Sequence, residues 1–352
     1  MKILSEKIVK HSKITVVLIL LLSFMSACAA EYMPVNQQII QRRAFLMDTL
    51  VSINVFYNEY GFMVNPANYE EIAVSALNII ASYEELFSMF IEDSDIWRIN
   101  NAGGEPVVVS DETISVLNEA MRARDLTNGH FDITIGAVSA LWQEARLNGI
   151  PPDPALIAEA LESVGAEIFI DGNTVQLGHP QTQLDLGGVA KGYVARRAAQ
   201  YFDYMGIAGT IDLGGDTVTV GEKPDGTLWN IGILSPFTGD TFAILHVEPT
   251  SIVTSGTYQR FFEYNGEFFH HIIDPQTGSP AEGSLISVTA ITDDTTIAEA
   301  FSTAVFMMEP QDALDLAESI PGLEVVFIFV DGSHGASSGI GDSVGFTLIQ
   351  NP

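Results

Sequence analysis

The chain has 352 residues, of which 47% are hydrophobic and 17% charged, and its formal net charge is −30. A surface that acidic repels phosphate backbones, so nucleic acid is excluded as a binding partner. The single cysteine excludes both an internal disulfide framework and a metal cluster built from several cysteines.

The first residues have the composition of a secretory signal peptide. Four lysines precede an apolar run over residues 14–25, which is too short for a comfortable membrane span, and the small residues Ser26 and Ala27 follow. Cys28 then stands where cleavage would leave it first, which resembles a bacterial lipobox; an ordinary signal peptide with an incidental cysteine is the alternative. We therefore predict a signal peptide over residues 1–27, a lipid-anchored tether over 28–43 and one large domain over 44–352.

The rest of the chain shows runs of strands with helices inserted in blocks. Period-two or apolar runs predict strands over residues 51–55, 107–109, 168–170, 174–177, 211–213, 217–220, 229–234, 242–247, 325–330 and 346–349. Helical spacing and capping residues predict helices over 69–87, from Ser110 onward, from Pro154 to Val164, and over 193–202, 296–308 and 312–319. This order predicts an α+β fold, a single large mixed-sheet domain whose last two strands close the sheet.

A glycine-rich segment at a strand-to-helix junction is the first candidate for chemistry. Residues 184–192 read Leu-Asp-Leu-Gly-Gly-Val-Ala-Lys-Gly. Paired glycines let backbone N–H groups approach a phosphate, and Lys191 adds a full cation in the first helical turn. A tight turn with a solvated lysine is the alternative. A second glycine pair, Gly214 and Gly215, lies between Asp212 and Asp216, and we interpret it as a turn between strands.

Two histidines precede a carboxylate and a turn. His270 and His271 are followed by Asp274 and then by Pro-Gln-Thr-Gly. Because side chains alternate along a strand, we expect at most one of the two histidines to face a site. A histidine satisfied within the core is the alternative.

A carboxylate and a hydroxyl share a helix face further on. Glu299 and Thr303 are four residues apart in a predicted helix, so both side chains project from the same side. Oxygen-only ligation suits Mg²⁺ better than Zn²⁺. The same pair is also common on solvated helices.

Two further segments, residues 87–100 and 129–136, place an aromatic residue beside short polar residues. Such neighbours suit the stacking and edge hydrogen bonding of an aromatic ligand. Helix capping above a core aromatic explains them equally well.

The order of these segments resembles that of the ApbE family of flavin transferases, the FAD:protein FMN transferases, over roughly residues 43–350. Three of the motifs that carry the resemblance contain departures: Asp48 stands where the family has glycine, Phe90 where tyrosine is common, and Glu299 where the family has aspartate. The seven motifs are Met-Asp-Thr at 47–49, Phe-Ile-Glu-Asp-Ser at 90–94, Gly-His-Phe-Asp at 129–132, Asp-Leu-Gly-Gly-Val-Ala-Lys-Gly at 185–192, Thr-Ser-Gly at 254–256, His-Ile-Ile-Asp-Pro at 271–275 and Glu-Ala-Phe-Ser-Thr at 299–303.

The resemblance implies an ApbE-like, T-fold-related domain with FAD in an extended cleft. The implied flavin contacts are Met47, Phe90, His130, Phe131, Asp132, Asp185, Lys191 and Ile273. The implied Mg²⁺ ligands are Gly188, Glu299, Ser302 and Thr303. An acceptor hydroxyl needs a positioned base, for which His271, with Asp274 close in sequence, is our candidate.

The expected activity is Mg²⁺-dependent transfer of FMN from FAD to a Thr or Ser hydroxyl of a partner protein, such as a membrane redox-complex subunit, with release of AMP. If water replaces that hydroxyl, the protein is a pyrophosphatase that yields FMN and AMP. A flavin-binding lipoprotein without chemistry is the third possibility. In each case the lipid anchor on Cys28 would hold the domain on the extracytoplasmic, periplasmic face of a bacterial cell membrane.

Overall fold

The structure, a computed structural model, describes residues 37–58, 66–350 and 352. The predicted signal peptide, Cys28 and the first part of the predicted tether lie outside the described residues. Gln37–Pro352 forms one compact unit. Within the described ranges, every helix is too short or too polar to cross a membrane.

An antiparallel sheet of eight strands is the scaffold. Its strands in chain order are β1 (Gln37–Leu46), β2 (Thr49–Asn58), β6 (Ala208–Leu213), β7 (Asp216–Val220), β10 (Ser251–Gly256), β13 (Leu285–Thr292), β14 (Glu324–Phe329) and β15 (His334–Ala336). They lie side by side in the order β1-β2-β6-β7-β10-β13-β14-β15. Each neighbouring pair is antiparallel, whereas the order of elements in the sequence predicts a mixed sheet.

Smaller sheets accompany the large one. They are formed by β3 (Val107–Val108), β4 (Ile168–Asp171) and β5 (Thr174–Leu177); by β8 (Trp229–Leu234), β9 (Thr241–Val247) and β16 (Gly345–Leu348); and by β11 (Phe261–Tyr264) with β12 (Glu267–His270). The prediction that the last strand closes the main sheet is wrong, because β16 pairs with β9. Phe242 and Leu245 of β9 pack with Ile291 and Val326 of the main sheet, so this small sheet covers one of its faces.

Most of the helices cover the opposite face of the main sheet. The helices are α1 (Pro66–Phe87), α2 (Asp95–Asn100), α3 (Asp111–Leu126), α4 (Gly136–Asn148), α5 (Pro154–Leu161), α6 (Ala190–Met205), α7 (Thr295–Ala304) and α8 (Pro310–Ser319), with a 3₁₀ turn at Val305–Met307. Helices α4 and α5 instead form a separate apolar cluster with Phe262 and Phe269. Ile53 and Ile211 of the sheet pack with Ile80 of α1 and Phe202 of α6 in the largest apolar cluster.

Local signals explain where most helices begin and end. The Ser110 hydroxyl accepts a hydrogen bond from the Thr113 N–H at 3.2 Å, which caps α3 as predicted. Helix α5 ends before the predicted Val164, because the Val164 N–H bonds the Leu161 carbonyl and forms a tight turn. Helix α4 was not predicted, although its buried Val138 and Trp142 have helical spacing.

The predicted boundary between tether and domain is also wrong. Residues 37–43 belong to β1, which pairs with β2 from Gln37 opposite Asn58 to Leu46 opposite Thr49. The segment is polar because β1 is an edge strand that faces solvent along much of its length. That polarity is what made it resemble a tether in the sequence.

Candidate functional site

A cavity of about 1000 Å³ gathers most of the predicted site residues. That volume lies at the top of the range of about 300–1,000 Å³ typical of ligand pockets. The predicted residues that line it are Met47, Phe90, His130, Phe131, Asp132, Asp185, Gly188, Lys191, His271, Ile273, Glu299 and Thr303. Ser302 lies directly behind this wall and is fully buried.

Lys191 is the charged centre of the cavity. Its ammonium contacts the Asp216 carboxylate and lies 2.5 Å from Glu299 Oε1. Burial lowers the pKa of Lys191, but the two carboxylates outweigh burial and raise it above its ordinary value. The alternative of a solvated lysine in a turn is therefore excluded, and Lys191 is a cation at neutral pH.

Asp216 completes a charge triad with Lys191 and Glu299, although the sequence of its segment predicts only a turn between strands. It is buried at the start of β7, directly after the turn formed by Gly214 and Gly215. The turn prediction is correct, but the carboxylate that follows it pairs with Lys191. The sequence feature that points to this pairing is a lysine beside a glycine-rich turn in a very acidic chain, because such a lysine has many carboxylates available as partners.

Gly192 lets α6 and α7 approach closely enough to build the triad. A Cβ at this position would lie 2.4 Å from the Thr295 carbonyl oxygen, a distance that side chains do not tolerate. The close approach brings the Gly192 N–H within 2.6 Å of Glu299 Oε2. Glu299 therefore has one oxygen on a backbone N–H and the other on Lys191. Burial raises the pKa of its carboxyl, and Lys191 opposes that shift.

The predicted Mg²⁺ ligands converge beside the triad. A Cβ built on Gly188 would lie 3.7 Å from Thr303 Oγ1 and 2.9 Å from the Phe131 ring, so only glycine fits here. The Thr303 and Ser302 hydroxyls donate to the Glu299 carbonyl at 3.1 and 2.9 Å. The Ser302 oxygen also lies 2.8 Å from the Ser255 hydroxyl, so one of its two lone pairs is already used. These hard oxygen donors beside a buried carboxylate suit Mg²⁺. Groups of three or more His, Cys, Asp or Glu arranged for a metal do not occur among the described residues.

His271 and His270 both line the cavity, although strand alternation predicted that at most one would. The difference arises because β12 ends at His270, so His271 lies beyond the alternating pattern. His270 is held by the Ala281 carbonyl, 3.0 Å from its Nε2. His271 Nδ1 lies 3.2 Å from the Arg260 carbonyl.

The protonation state of His271 follows from its surroundings. Its side chain lines the cavity and remains accessible to solvent, although protein atoms surround it closely enough to affect its charge. Burial lowers its pKa to about 4, and the charge of Arg260 acts in the same direction. A carbonyl oxygen can only accept, so Nδ1 carries the proton and Nε2 keeps its lone pair. At neutral pH His271 is an uncharged proton acceptor.

Asp274 is a turn residue in this structure. Its carboxylate accepts a hydrogen bond from the Gln276 N–H at 2.8 Å, and its carbonyl accepts one from Gly278. Asp274 is not part of the described cavity wall. These two hydrogen bonds hold the turn that follows His271 and Ile273.

Aromatic rings form another part of the cavity wall. Trp142 stacks on Phe269 with ring centroids 5.6 Å apart, and Phe262 stacks on the same ring at 5.3 Å. The Phe90 side chain is 61% exposed, so its face is free. His130 Nδ1 is buried without a hydrogen-bond partner among the described residues, as is typical of a site that a ligand completes. This wall suits a large aromatic ligand such as a flavin.

Two further predicted flavin contacts, Asp132 and Asp185, also shape the backbone. Asp132 accepts from the Thr134 N–H and hydroxyl at 2.9 and 2.7 Å and pairs with Arg124 at 3.1 Å. Asp185 accepts from the Gly187 N–H at 2.8 Å and so shapes the glycine-rich turn. Both carboxylates therefore have structural partners as well as a place on the cavity wall.

Comparison with known proteins decides the family. A sequence model of the ApbE family matches residues 47–327, which include all seven motifs. The chain belongs to the ApbE family. It is 33% identical over 328 residues to a FAD:protein FMN transferase of Treponema pallidum, with 86% of this chain and 88% of that protein covered. A FAD:protein FMN transferase of Vibrio cholerae is 32% identical over 257 residues, which cover 70% of this chain and 77% of that protein.

Solved structures confirm the ApbE-like fold. The ApbE protein of Thermotoga maritima superposes with a TM-score of 0.77 at 31% identity, covering 86% of this chain and 97% of that chain. The flavin transferase ApbE of Vibrio cholerae gives a TM-score of 0.74 at 26% identity, covering 87% of this chain and 98% of that chain.

Proposed function

We propose that this protein is an FAD:protein FMN transferase that passes FMN from FAD to a Thr or Ser hydroxyl of a partner protein and releases AMP. The observation that carries the proposal is that one cavity is lined by a cation, Lys191, by a neutral histidine, His271, and by a group of aromatic rings. Membership in a family of flavin transferases supports the same reaction.

His271 is the proposed general base. Its unprotonated Nε2 would accept the proton of the acceptor hydroxyl as that oxygen attacks the FMN-side phosphorus of FAD. The phosphorus–oxygen bond to AMP breaks, and AMP leaves with the bonding electron pair. The Arg260 carbonyl fixes the tautomer and the ring orientation during this transfer.

Lys191 and the glycine-rich turn would stabilise the pyrophosphate charge. Phosphoryl transfer depends mainly on positioning and charge neutralisation, and a lysine held by Asp216 and Glu299 supplies a fixed cation at the start of α6. Mg²⁺, held by Glu299, Thr303, Ser302 and Gly188, would neutralise further charge on the phosphates. Because Lys191 already neutralises much of the Glu299 charge, metal affinity without nucleotide should be weak.

The Mg²⁺ proposal has its own test. Glu299→Ala removes the sole carboxylate of the proposed ligand set, so activity should vanish at ordinary Mg²⁺ and return in part at high Mg²⁺. Activity of the wild type and the variant is measured against Mg²⁺ concentration. If both curves have the same midpoint, the metal lies elsewhere.

Chromatographic analysis of FAD turnover tests the reaction class. With FAD, Mg²⁺ and an acceptor protein, AMP should accumulate while free FMN stays low. A chelator that removes Mg²⁺ should stop the accumulation of AMP. FMN released in equal amount with AMP would identify a pyrophosphatase. FAD that stays bound without AMP release would identify a storage protein.

We further propose that Cys28 carries the lipid anchor and holds the domain on the extracytoplasmic face of the cell membrane. Support comes from the lipobox-like sequence that ends at the only cysteine of the chain. In a bacterial host the wild type should sediment with membranes, and Cys28→Ala should release the protein or stall its processing. Equal membrane retention of the two would refute the anchor.

A further inference from the structure

Three charged side chains from separate parts of the chain meet on the cavity wall. Asp48 lies in the turn between β1 and β2, Arg146 in the last turn of α4, and Arg260 directly before β11. Asp48 Oδ2 is 3.4 Å from an Arg260 guanidinium nitrogen and 3.8 Å from one of Arg146. The Asp48 carbonyl also accepts a hydrogen bond from Arg260 at 2.9 Å.

The two arginines are concentrated here although the chain is poor in basic residues. Only 15 of the 352 residues are Lys or Arg, yet three of them, Arg146, Lys191 and Arg260, line this one cavity. Lys191 is neutralised by two carboxylates, whereas Arg146 and Arg260 share the single carboxylate of Asp48. One positive charge of the arginine pair is therefore left without a counter-charge from Asp48.

Asp48 holds the arginines loosely. Its contacts of 3.4 and 3.8 Å are longer than the roughly 2.7–2.9 Å of a charge-assisted hydrogen bond, and its side chain is 64% exposed. An exposed ion pair of this kind contributes about 0–1 kcal/mol. Among the described residues, Arg146 has no closer polar contact than Asp48, so most of its fork of donors is free.

We propose that Arg146 and Arg260 form an oxyanion-binding subsite in the cavity wall, and that Asp48 occupies it until an oxyanion of the bound ligand displaces its carboxylate. The planar forks of two guanidiniums suit phosphate or carboxylate. The oxyanion is either a phosphate of the flavin nucleotide or a carboxylate of the acceptor segment. This inference rests on the proposed function, because it assigns a subsite for that reaction's ligands.

The subsite adjoins the candidate base. The Arg260 carbonyl accepts the His271 backbone N–H at 3.1 Å and lies 3.2 Å from its Nδ1. Arg260 and His271 line the same cavity, so a ligand group held by Arg260 would lie in the cavity that contains the candidate base.

Variants at Asp48 test the subsite without disturbing the turn. Met47 and Asp48 both have φ of 54°, a left-handed conformation that asparagine and glycine adopt readily. Asp48→Asn and Asp48→Gly should therefore keep the fold, which a thermal melt checks. Binding is measured for FAD and for riboflavin, which lacks phosphate, by flavin fluorescence, and for a blocked Gly-Glu-Gly peptide by ligand-observed NMR.

Without its internal competitor, the subsite should bind oxyanions about three- to tenfold more tightly. A gain for FAD but not riboflavin assigns a phosphate; a gain confined to the peptide assigns a carboxylate. Arg146→Gln should cancel the gain when combined with Asp48→Asn. Unchanged binding of both anions, or an equal gain for riboflavin, would overturn the proposal. These are binding measurements, so FAD that binds without turnover refutes the proposed function and leaves the subsite intact.

Discussion

Lys191 is the residue whose environment most constrains the cavity. Its ammonium is enclosed between Asp216 and Glu299, and the Glu299 carboxylate is held in turn by the Gly192 N–H. Removing the cation would leave two buried carboxylates facing one another. The triad is thus a structural requirement of the domain, and it fixes the Lys191 ammonium on the cavity wall.

Lys191→Met should lower the free energy of unfolding by about 3–5 kcal/mol, because it leaves buried carboxylates without a partner. Arg42→Gln is the matched control, since Arg42 pairs with Glu70 at the surface and should cost less than about 1 kcal/mol. Both are measured by urea unfolding at pH 7. Equal losses for the two variants would show that the triad contributes no more than a surface pair.

His271→Gln should lower turnover by about 10²–10⁴-fold with little change in FAD affinity, if His271 is the base. The sign of the pH dependence follows from its pKa, which is lowered to about 4. The neutral form that accepts a proton persists above that value, so the kcat/KM of the wild type should stay level near neutrality and fall only toward pH 4. A decline centred near pH 6.5 would contradict this environment for His271.

The sequence contains the chemistry of these residues but not their partners. Spacing alone brought Glu299 and Thr303 to one helix face, and the glycine-rich motif located Lys191. The sequence does not reveal Asp216 as a partner, because Asp216 is 25 residues from Lys191 along the chain. The two meet only through the packing of α6 on the sheet. The same long-range packing gives Asp48, which stands where the family has glycine, a place between two arginines.

Helices α6 and α7 form the element pair that positions the charges. Their contact depends on Gly192, where a Cβ would collide with the backbone of Thr295. The distance between two helices is set by the side chains at their contact, so this position fixes the spacing of Lys191 and Glu299.

Gly192→Ala should destabilise the domain by about 1–3 kcal/mol through overpacking and should reduce activity by displacing Glu299. Gly232→Ala is the matched control, because its Cβ would meet its nearest neighbour, Thr241, at an ordinary 3.5 Å. Differential scanning calorimetry of both variants provides the comparison. A melting temperature for Gly192→Ala equal to that of the control would show that the helices have room to separate.

Strand β1 shows where sequence patterns are least informative. Its polar residues resemble a tether, yet Ile40 and Leu46 pack against the largest apolar cluster and Arg42 pairs with Glu70 of α1. Edge strands carry polar residues on their solvent side, so hydrophobicity alone does not separate them from linkers. Of the central strands, β7 and β14 lie within one residue of their predicted bounds. Strands β10 and β13, in the middle of the sheet, are not among the predicted strands.

A chain that begins at Gln37 retains every strand of the described sheet, whereas one that begins at Met47 lacks β1. The shorter chain should lose several kcal/mol, or roughly 10 °C in melting temperature, because β2 becomes an unpaired edge. Thermal unfolding of the two truncated chains measures the difference. Equal melting temperatures would show that residues 37–46 contribute nothing to the stability of the domain.

The whole molecule combines an acidic exterior with a cavity whose basic residues are few and concentrated. The eight-stranded sheet, covered by helices on one face and by the β8–β9–β16 sheet on the other, brings segments from residue 47 to residue 303 to one cavity. Sequence motifs located most of those segments, but only the folded sheet shows that they share a wall. The fold class was predictable; the division into separate sheets was not, because it depends on which apolar faces pack together.

The intact mass of an acceptor protein is the most direct test of the proposed transfer. After incubation with FAD, Mg²⁺ and the wild-type protein, an acceptor with a reactive Thr should gain the mass of one FMN moiety, and its Thr→Val variant should gain none. His271→Gln in place of the wild type should leave the acceptor largely unmodified over the same period. An unchanged acceptor mass while FMN and AMP accumulate in solution would contradict protein flavinylation and assign the cavity to FAD hydrolysis.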